Sequence, residues 1–215
     1  MAELSYFGAK VLHPKAVRPV VEAGIPVRIC NTFKPEDKGT RVTKNDDSPP
    51  RIKNGAKGIV KAVTAIQDQR LITVEGRGML GVPGVAARTF GAVAATGTSV
   101  PLITQASSEQ SISFSVPSES AEAVLNSLHI AFDTELSRRD IDRVWATEEV
   151  AIITAVGNGL QYTPGVAGQI FSALGSADVN IYAIAQGSSK VAISLIVTAE
   201  DTEKAIHTLH HFITT

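Results

Sequence analysis

The sequence is poor in several residue types, and each shortage narrows what the protein can be. A single cysteine, Cys30, stands among 215 residues, so no intramolecular disulfide can form, which fits a reducing compartment. Aromatic residues make up 5% of the chain, which argues against a surface that stacks nucleic-acid bases. The net charge is −1 and the basic residues are spread out, so no basic patch for nucleic acid or anionic membrane is expected.

Long apolar runs are also missing. No stretch of about 18 apolar residues could form a membrane span, and residues 1–10 lack the basic-then-apolar layout of a signal peptide. We therefore expect a cytoplasmic protein without membrane or nucleic-acid partners. Hydrophobic residues nevertheless make up 44% of the chain, which is enough to bury a core.

An internal repeat dominates the sequence. Residues 71–116 and 152–197 align without a gap, so that Ile72 matches Ile153 and Gln105 matches Gln186 at a constant offset of 81 residues. Two copies are too few for a solenoid. The repeat therefore predicts two small domains of one fold.

Counting strands predicts how the two copies are connected. Each copy has the order β-α-β-β-α, five sixths of a ferredoxin-like β-α-β-β-α-β unit. The first copy finds its last strand in Arg143–Thr147, whereas the second reaches the end of the sequence after its second helix. The strand candidate Gly58–Ile66 is unused, and an unfilled sheet edge would expose part of the core. We therefore predict that Gly58–Ile66 completes the second sheet, and that a short turn at 67–70 separates it from the first copy.

The resulting prediction is an α+β fold with two interlocked units whose antiparallel sheets are covered by helices. The first domain, residues 67–148, would be inserted in the second, which comprises residues 58–66 plus 149–215. Residues 1–40 have α/β character with a strand at Ile25–Asn31, and they are too few for a domain of their own. The charged, Pro- and Gly-containing stretch that follows predicts a linker over 41–57.

The glycine loop of the first copy has two possible functional interpretations. Gly76, Gly78 and Gly81 match GxGxxG between a strand and a helix, a context that suits a dinucleotide. The antiparallel sheet, the lack of an acidic residue about 20 positions on, and the incomplete motif in the second copy argue against it. The alternative is a small anion site, in which N–H groups at the helix start bind a carboxylate opposite the strand end at Gln105. Ordinary turn chemistry would explain the same residues.

Other reactive residues form weaker patterns. His207 and His211 lie four apart on the last helix and could hold a metal, but no carboxylate or thiol at suitable spacing supports this, so a solvated helix face is favoured. Cys30 lies in a strand without a partner histidine and is expected to be a small core residue. Ser118 is expected to cap the helix that follows it.

Three stretches resemble aspartate kinase. Glu3–Pro14 (ELSYFGAKVLHP) resembles the signature near the end of the catalytic domain, and Ile25–Pro35 (IPVRICNTFKP) resembles the end of that domain. Residues 58–215 resemble the family's paired ACT domains. The motifs Leu102–Glu109 (LITQASSE) and Ala183–Ser189 (AIAQGSS) are similar to those of the threonine-sensitive bifunctional aspartokinase–homoserine dehydrogenases.

The resemblance implies that the full enzyme transfers the γ-phosphate of ATP to the β-carboxylate of aspartate. The nucleotide- and aspartate-binding motifs belong to the N-terminal part of the family, so this chain is expected to have no catalytic residue, metal or cofactor; ATP and Mg belong to that part. The ACT pair would bind an end-product amino acid, threonine or lysine, and form a homodimer. Lysine-type relatives carry an aspartate where this chain has Pro101, and this difference argues against lysine as the effector.

The predicted effector-binding residues lie on the glycine loop, on the strand end opposite, and at the matching strand end of the second copy. They are Met79, Gly81, Val82, Pro83, Gly84, Val85, Ile103, Thr104, Gln105, Ser107, Ser108, Glu109, Gln186 and Ser188. A non-catalytic subunit that pairs with a separate kinase catalytic chain is an alternative function, and an enzyme with residual phosphotransfer is a third.

Overall fold

The computed structural model describes residues 19–20, 22–42, 59–106, 108–160, 162–186 and 191–214. The helix predicted within residues 1–20 falls almost wholly outside these ranges, as does most of the predicted linker. Within them, β1 (Val27–Ile29) pairs antiparallel with β2 (Thr40–Val42). The strand β2 lies across the predicted boundary between the first segment and the linker.

The repeat forms one six-stranded antiparallel sheet. Its strands are β3 (Val60–Glu75), β4 (Ile103–Gln105), β5 (Ser111–Pro117), β6 (Arg143–Gly157), β7 (Ala183–Ala185) and β8 (Ala192–Thr198). They lie in the order β4-β5-β3-β6-β8-β7, so β4 and β7 are the edge strands. The first copy supplies one half of the sheet and the second copy supplies the other.

Two long strands join the halves. The N-terminal part of β3, Val60–Ile66, pairs with Ile152–Gly157 of the second copy, while its C-terminal part pairs with β5 of the first. The predicted pairing of this segment with the second copy is therefore observed, and we propose the interlocked domain division on this basis. The turn predicted at 67–70 is wrong, because β3 continues through these residues. It passes from one half-sheet to the other through a register irregularity between Ile66 and Gln69, where Asp68 has a φ of 55°.

Helices cover one face of each half. The first half is covered by α1 (Val85–Ala95) and α2 (Ala121–Ala131), which a short α3 (Asp133–Arg138) follows; the second half is covered by α4 (Val166–Ser176) and α5 (Thr202–Thr214). Each pair of helices closes a separate core in which alternate strand residues are buried. The opposite strand faces meet in a third cluster centred on Leu71, Ile152 and Ile196. This third cluster packs the two copies against each other.

Two side chains differ from their predicted roles. Cys30 is exposed rather than buried, because β1 belongs to a two-stranded sheet that lies outside the three buried clusters. Ser118 opens a short 3-10 turn before α2, but its Oγ has no hydrogen-bond partner among the described residues. The turn tightens the chain ahead of the first α-helical residue, so the Ser118 hydroxyl does not reach a free N–H group of the helix.

A charged clamp holds α1 against α2 and α3. The Arg88 guanidinium pairs with the Glu135 carboxylate, donates to the Ala131 carbonyl at 2.5 Å, and lies 4.7 Å from the centroid of the Phe132 ring. Because Arg88 is in the first turn of α1, this clamp also restrains the loop that leads into the helix. The hydrogen bond from Arg88 lowers the pKa of Glu135 below its ordinary value, with a backbone hydrogen bond as the next contribution.

We expect Glu135→Gln to make unfolding less sensitive to acid. A carboxyl whose folded pKa is lowered adds stability above its unfolded pKa of about 4.5, and that stability is lost as the pH falls through the folded value. The difference between the wild type and Glu135→Gln should therefore be largest near neutral pH and shrink towards pH 2. Urea unfolding at a series of pH values measures it, with the exposed Glu119→Gln as control. A constant difference at every pH would contradict the role of the clamp.

Candidate functional site

Two glycines of the GxGxxG motif, Gly76 and Gly78, lie where two backbone segments pass close to each other. A Cβ atom on Gly76 would lie 2.5 Å from the Asp140 carbonyl oxygen and 2.5 Å from the Ile141 Cα, and one on Gly78 would meet Asp140 in the same way. Gly157, which matches Gly76, faces the Ile59 carbonyl just as closely. In both copies, the strand that leads into the glycine loop therefore ends where another backbone segment crosses it. That segment leads into β6 in the first copy and into β3 in the second. This crossing, and the antiparallel sheet around it, favour a structural role over binding of a dinucleotide.

The loop and the helix start are built alike in the two copies. The N–H of Gly76 donates to the Gln110 carbonyl at 3.0 Å, and that of Gly157 donates to the matching Val191 carbonyl at 2.8 Å. The helices α1 and α4 each follow a glycine with positive φ, Gly84 at 89° and Gly165 at 85°. A residue with a side chain adopts this conformation at a cost, so the glycines direct each loop into its helix.

In the first copy the loop is joined to the strand end across from it. The N–H of Gly81 donates to Glu109 Oε2 at 3.3 Å, and Gly81 has a φ of 69°. The Gly81 N–H and the Glu109 carboxylate are therefore in contact close to the start of α1. Three apolar side chains of this region remain exposed: Leu80 at 59%, Val82 at 52% and Ile103 at 49%.

The predicted site residues separate into two groups. Met79 is 4% exposed, and Val85 packs against the core of the first copy, so both support the loop from inside. The half-buried Thr104 lies in β4 between two exposed neighbours. The exposed predicted residues are Gly81, Val82, Pro83, Gly84, Ile103, Gln105, Ser108, Glu109 and Gln186. Ser107 and Ser188 lie outside the described residues.

A shallow cleft beside the strand end includes residues that the sequence did not single out. It has a volume of about 290 Å³, and Gly76, Arg77, Ser108, Gln110 and Asp142 contribute to its wall. The carboxylate of Asp142 accepts the Arg77 N–H at 3.3 Å. The repeat could have indicated Gln110, whose carbonyl accepts the Gly76 N–H. Nothing in the local sequence places Asp142 in this cleft.

The second copy differs at the two residues that form the loop contact. Tyr162 matches Gly81, and Lys190 matches Glu109. Tyr162 is exposed, and the backbone of its neighbours turns at Gly159, whose carbonyl accepts the N–H groups of Tyr162 and Thr163. At these positions the sequence of the second copy therefore has an aromatic and a basic residue where the first copy has a glycine and an acidic residue, and Lys190 lies outside the described residues.

The described residues contain neither a cluster of metal ligands nor a helix that could span a membrane. No group of three or more His, Cys, Asp and Glu residues could hold a metal ion within the described part of the chain. His207, His210 and His211 are exposed on α5, where His207 lies 3.7 Å from the Glu203 carboxylate. Among the described residues, no helix is both long and apolar enough to cross a bilayer.

Comparison with known families agrees with the repeat. The model for the ACT domain matches residues 72–132 and again residues 153–212. The chain belongs to the ACT-domain family. The two matches fall on the two halves of the sheet, so each half is an ACT domain with the ferredoxin-like arrangement of strands and helices.

The relatives of the paired ACT domains are aspartate kinases. The chain is 39% identical over 208 residues to the chloroplastic bifunctional aspartokinase/homoserine dehydrogenase 1 of Arabidopsis thaliana, a match that covers 97% of this chain and 23% of that protein. The chain thus spans about a quarter of the length of the curated relatives that it matches. The predicted resemblance to the regulatory region of aspartate kinase is confirmed.

Two solved structures show the same fold. The regulatory subunit of aspartate kinase from Thermus flavus matches with a TM-score of 0.61 and 31% identity, over 72% of this chain and 98% of that one. The E. coli aspartokinase III complex with lysine and aspartate matches with a TM-score of 0.72 and 30% identity, over 100% of this chain and 44% of that one.

Proposed function

We propose that this chain is the amino-acid sensor of an aspartate kinase and that it binds threonine or lysine for feedback inhibition. The observation that carries the proposal is the 3.3 Å contact between the Gly81 N–H and the Glu109 carboxylate. A free amino acid needs donors for its carboxylate and acceptors for its ammonium group. An amino acid would replace this contact: its carboxylate would accept from the Gly81 N–H, near the start of α1 where the helix dipole favours an anion, and its ammonium group would donate to Glu109.

The first ACT domain is the better candidate for the site. The exposed side chains of Leu80, Val82 and Ile103 would cover the aliphatic part of an amino acid, and burial of such surface favours binding. The amide of Gln105 follows at the end of β4. The second ACT domain has Tyr162 and Lys190 at the matching positions, so a ligand there would meet a different set of groups.

Both effectors have support. The motifs around Gln105 and Gln186 resemble those of the threonine-sensitive bifunctional enzymes, which favours threonine. The structurally similar E. coli aspartokinase III is described in complex with lysine. Effector binding to one arrangement of the ACT pair would shift a two-state equilibrium of an attached kinase domain. Several matched relatives are named chloroplastic, so the cytoplasmic location stays a prediction.

We expect Gln105→Ala to weaken effector binding about tenfold, since a hydrogen bond to a charged group contributes about 1.5–3 kcal/mol. Gln186→Ala should have a smaller effect if the first domain holds the main site. Isothermal titration calorimetry with threonine and with lysine measures both. The matched control is Gln169→Ala, at an exposed position of α4.

Two outcomes would contradict this proposal. If neither amino acid produces heat with the folded wild type, the chain is not a sensor of these effectors. If both Gln105→Ala and Gln186→Ala keep wild-type affinity, the effector binds elsewhere.

We also propose that the sheet edges mediate a homodimer. The strands β4 and β7 end the sheet, and each exposes an isoleucine, Ile103 at 49% and Ile184 at 43%. An edge strand with apolar side chains is a template for pairing with another chain. Sedimentation velocity should show a dimer that Ile103→Lys weakens, and a monomer at all wild-type concentrations would contradict the pairing. The same edges favour the alternative function of assembly with a separate catalytic chain.

A further inference from the structure

The six-stranded sheet is folded back on itself. Its outermost strands, β4 and β7, lie at opposite ends of the strand order. Five strand spacings of about 4.8 Å would place them about 24 Å apart in a flat sheet. Their Cα atoms instead approach within 8 Å of each other. Since β3 and β6 are the strands that pass from one half-sheet to the other, the bend lies in this pair.

A narrow ribbon joins the two half-sheets. The strand β5 ends opposite Gln69 of β3, and the strand β8 ends opposite Val150 of β6. Gln69 and Val150 pair with each other, so the third strand of each half stops at the same position along the ribbon. Two-stranded ribbons twist more strongly than wider sheets. We call residues 67–70 of β3 and residues 147–150 of β6 the waist.

Each strand of the waist carries one extra residue. In β3, residues 67–68 together face the single residue Ala151, and in β6, residues 147–148 together face the single residue Leu71. Asp68 has a φ of 55°, a left-handed conformation that is uncommon for a residue with a side chain. An extra residue in one strand bends that strand and increases its twist. The two extra residues, one in each strand, therefore account for the bend of the sheet at the waist.

Side chains replace the backbone hydrogen bonds that the extra residue in β6 interrupts. The Thr147 carbonyl accepts the Arg70 Nε–H at 2.7 Å, and the Thr147 hydroxyl accepts the Leu71 N–H at 3.0 Å. Backbone groups away from water need such partners. Arg70 is also anchored on α2, where its Nη1 donates to Glu122 at 3.3 Å. These contacts hold β6 against β3 in the bent arrangement.

Gln69 has the corresponding role in β3. Its side-chain Nε2 donates to the carbonyls of Gln67 and Asp68, each at 3.2 Å. Gln69 is 5% exposed, and its Oε1 has no hydrogen-bond partner among the described residues. A buried acceptor without a partner raises the free energy of a fold. The bent arrangement is therefore held at a cost, which brings a less bent arrangement closer to it in free energy.

The apolar contact between the two half-sheets is small. It is the third cluster, whose buried members are Leu71, Leu102, Val150, Ile152 and Ile196. Each core beneath a pair of helices contains a larger set of buried side chains. A change in the bend would therefore disturb this small cluster and leave both helix-covered cores intact.

We propose that the waist is a hinge between the two ACT domains, and that Arg70, Thr147 and Gln69 hold it in the bent arrangement. Opening of the hinge moves β4 away from β7, while each helix-covered core moves as one body. Gln105 ends β4 and Gln186 follows β7, so an effector bound at these strand ends would favour one setting of the hinge. This coupling rests on the proposed function, whereas the hinge itself does not.

The distance between β4 and β7 reports the setting of the hinge. Spin labels are attached through Ser99→Cys and Asn180→Cys, two exposed positions that precede these strands and match each other in the repeat. The substitution Cys30→Ser removes the native exposed thiol. Double electron–electron resonance is recorded on the intact chain, diluted with unlabelled chain so that only distances within one molecule contribute.

We expect a main distance and a minor, longer one. The share of the longer distance should rise about fivefold in Thr147→Val and about tenfold in Arg70→Met, because each variant loses a hydrogen bond that holds the bend. The matched control is Glu122→Gln, since Glu122 contacts Arg70 from α2 with its side chain 77% exposed. It keeps the contacts of the waist and should give the wild-type distances. Thermal unfolding shows that each variant is folded.

Amide hydrogen exchange separates opening of the hinge from a general loss of stability. In Thr147→Val the Leu71 amide loses its acceptor and should exchange about fivefold faster. The amide of Phe114, which lies in the core of the first domain, should keep its wild-type rate.

Three results would overturn the proposal. They are wild-type distances in both Thr147→Val and Arg70→Met, an equal change in Glu122→Gln, and equal acceleration of exchange at Leu71 and Phe114. The distance measurement requires no effector, so failure of the threonine and lysine titrations leaves the hinge untouched. A rigid waist likewise leaves the amino-acid sensor untouched.

Discussion

A chain that begins at Gln67 is expected to keep the first ACT domain folded and to lose the second. Ile59 and Val60 are each 1% exposed in the core of the second domain. The segment Val60–Ile66 pairs with the C-terminal part of β6, Ile152–Gly157. Burial of each such side chain contributes about 1.5–3 kcal/mol. The two side chains together contribute about 3–6 kcal/mol, and the strand pairing is lost with them, so the loss reaches the lower end of the stability of a small domain, about 5–15 kcal/mol.

Amide hydrogen exchange measures this loss strand by strand. In the chain 67–215, protection of β8 should fall to the level of an unfolded segment, while β5 of the first domain should stay protected. The matched control is the chain 58–215, which keeps the complete β3. Protected β8 amides in the shorter chain would show that the second ACT domain does not depend on the segment before the first, and the interlocked division would be wrong.

Gly157→Ala is expected to destabilise the protein by about 1–3 kcal/mol, the usual cost of forcing extra atoms into a packed region. The new methyl group would collide with the Ile59 carbonyl. Since that oxygen belongs to the backbone of the crossing strand, it cannot move aside without disturbing the pairing of β3 with β6. Urea unfolding of the wild type and the variant measures the change in free energy.

Two matched variants separate crowding from a general effect of alanine. Gly168 lies in α4, and a Cβ atom there would meet nothing within 4 Å, so Gly168→Ala should stabilise the protein by about 0.5–1 kcal/mol through helix propensity. Gly76→Ala should reproduce the loss in the first domain. If Gly157→Ala and Gly168→Ala change stability alike, the close approach of the strands is not what requires glycine at position 157.

Much of the architecture can be predicted from the internal repeat and from the spacing of residues in the sequence. The ungapped repeat predicts two copies, and the strand order of each copy predicts a ferredoxin-like unit with one strand missing from the second. Val124 and Leu128 lie four residues apart in the sequence, a helical spacing of apolar residues, and both are fully buried on α2. These predictions succeed because they depend on short-range spacing, which the helix and strand geometries translate directly into faces.

The predictions that failed depend on what lies across from a residue. The sequence around Cys30 has a strand-like pattern, but the two-stranded sheet there does not pack against a buried core. The turn expected at 67–70 is polar, yet Gln69 and Arg70 pair with β6, so the strand continues past an irregularity at Asp68. Sequence spacing cannot reveal either fact, because both depend on segments that are far away in the chain.

The sequence by itself determined the family, the number of copies and the residue types available for an amino-acid site. Only the tertiary structure decided that Gly81 and Glu109, 28 residues apart, are in contact, and that both ACT domains share one sheet. The reason is physical. Repeats and periodicity specify local elements, whereas strand register and the crossing of backbones bring donors and carboxylates from distant parts of the chain together.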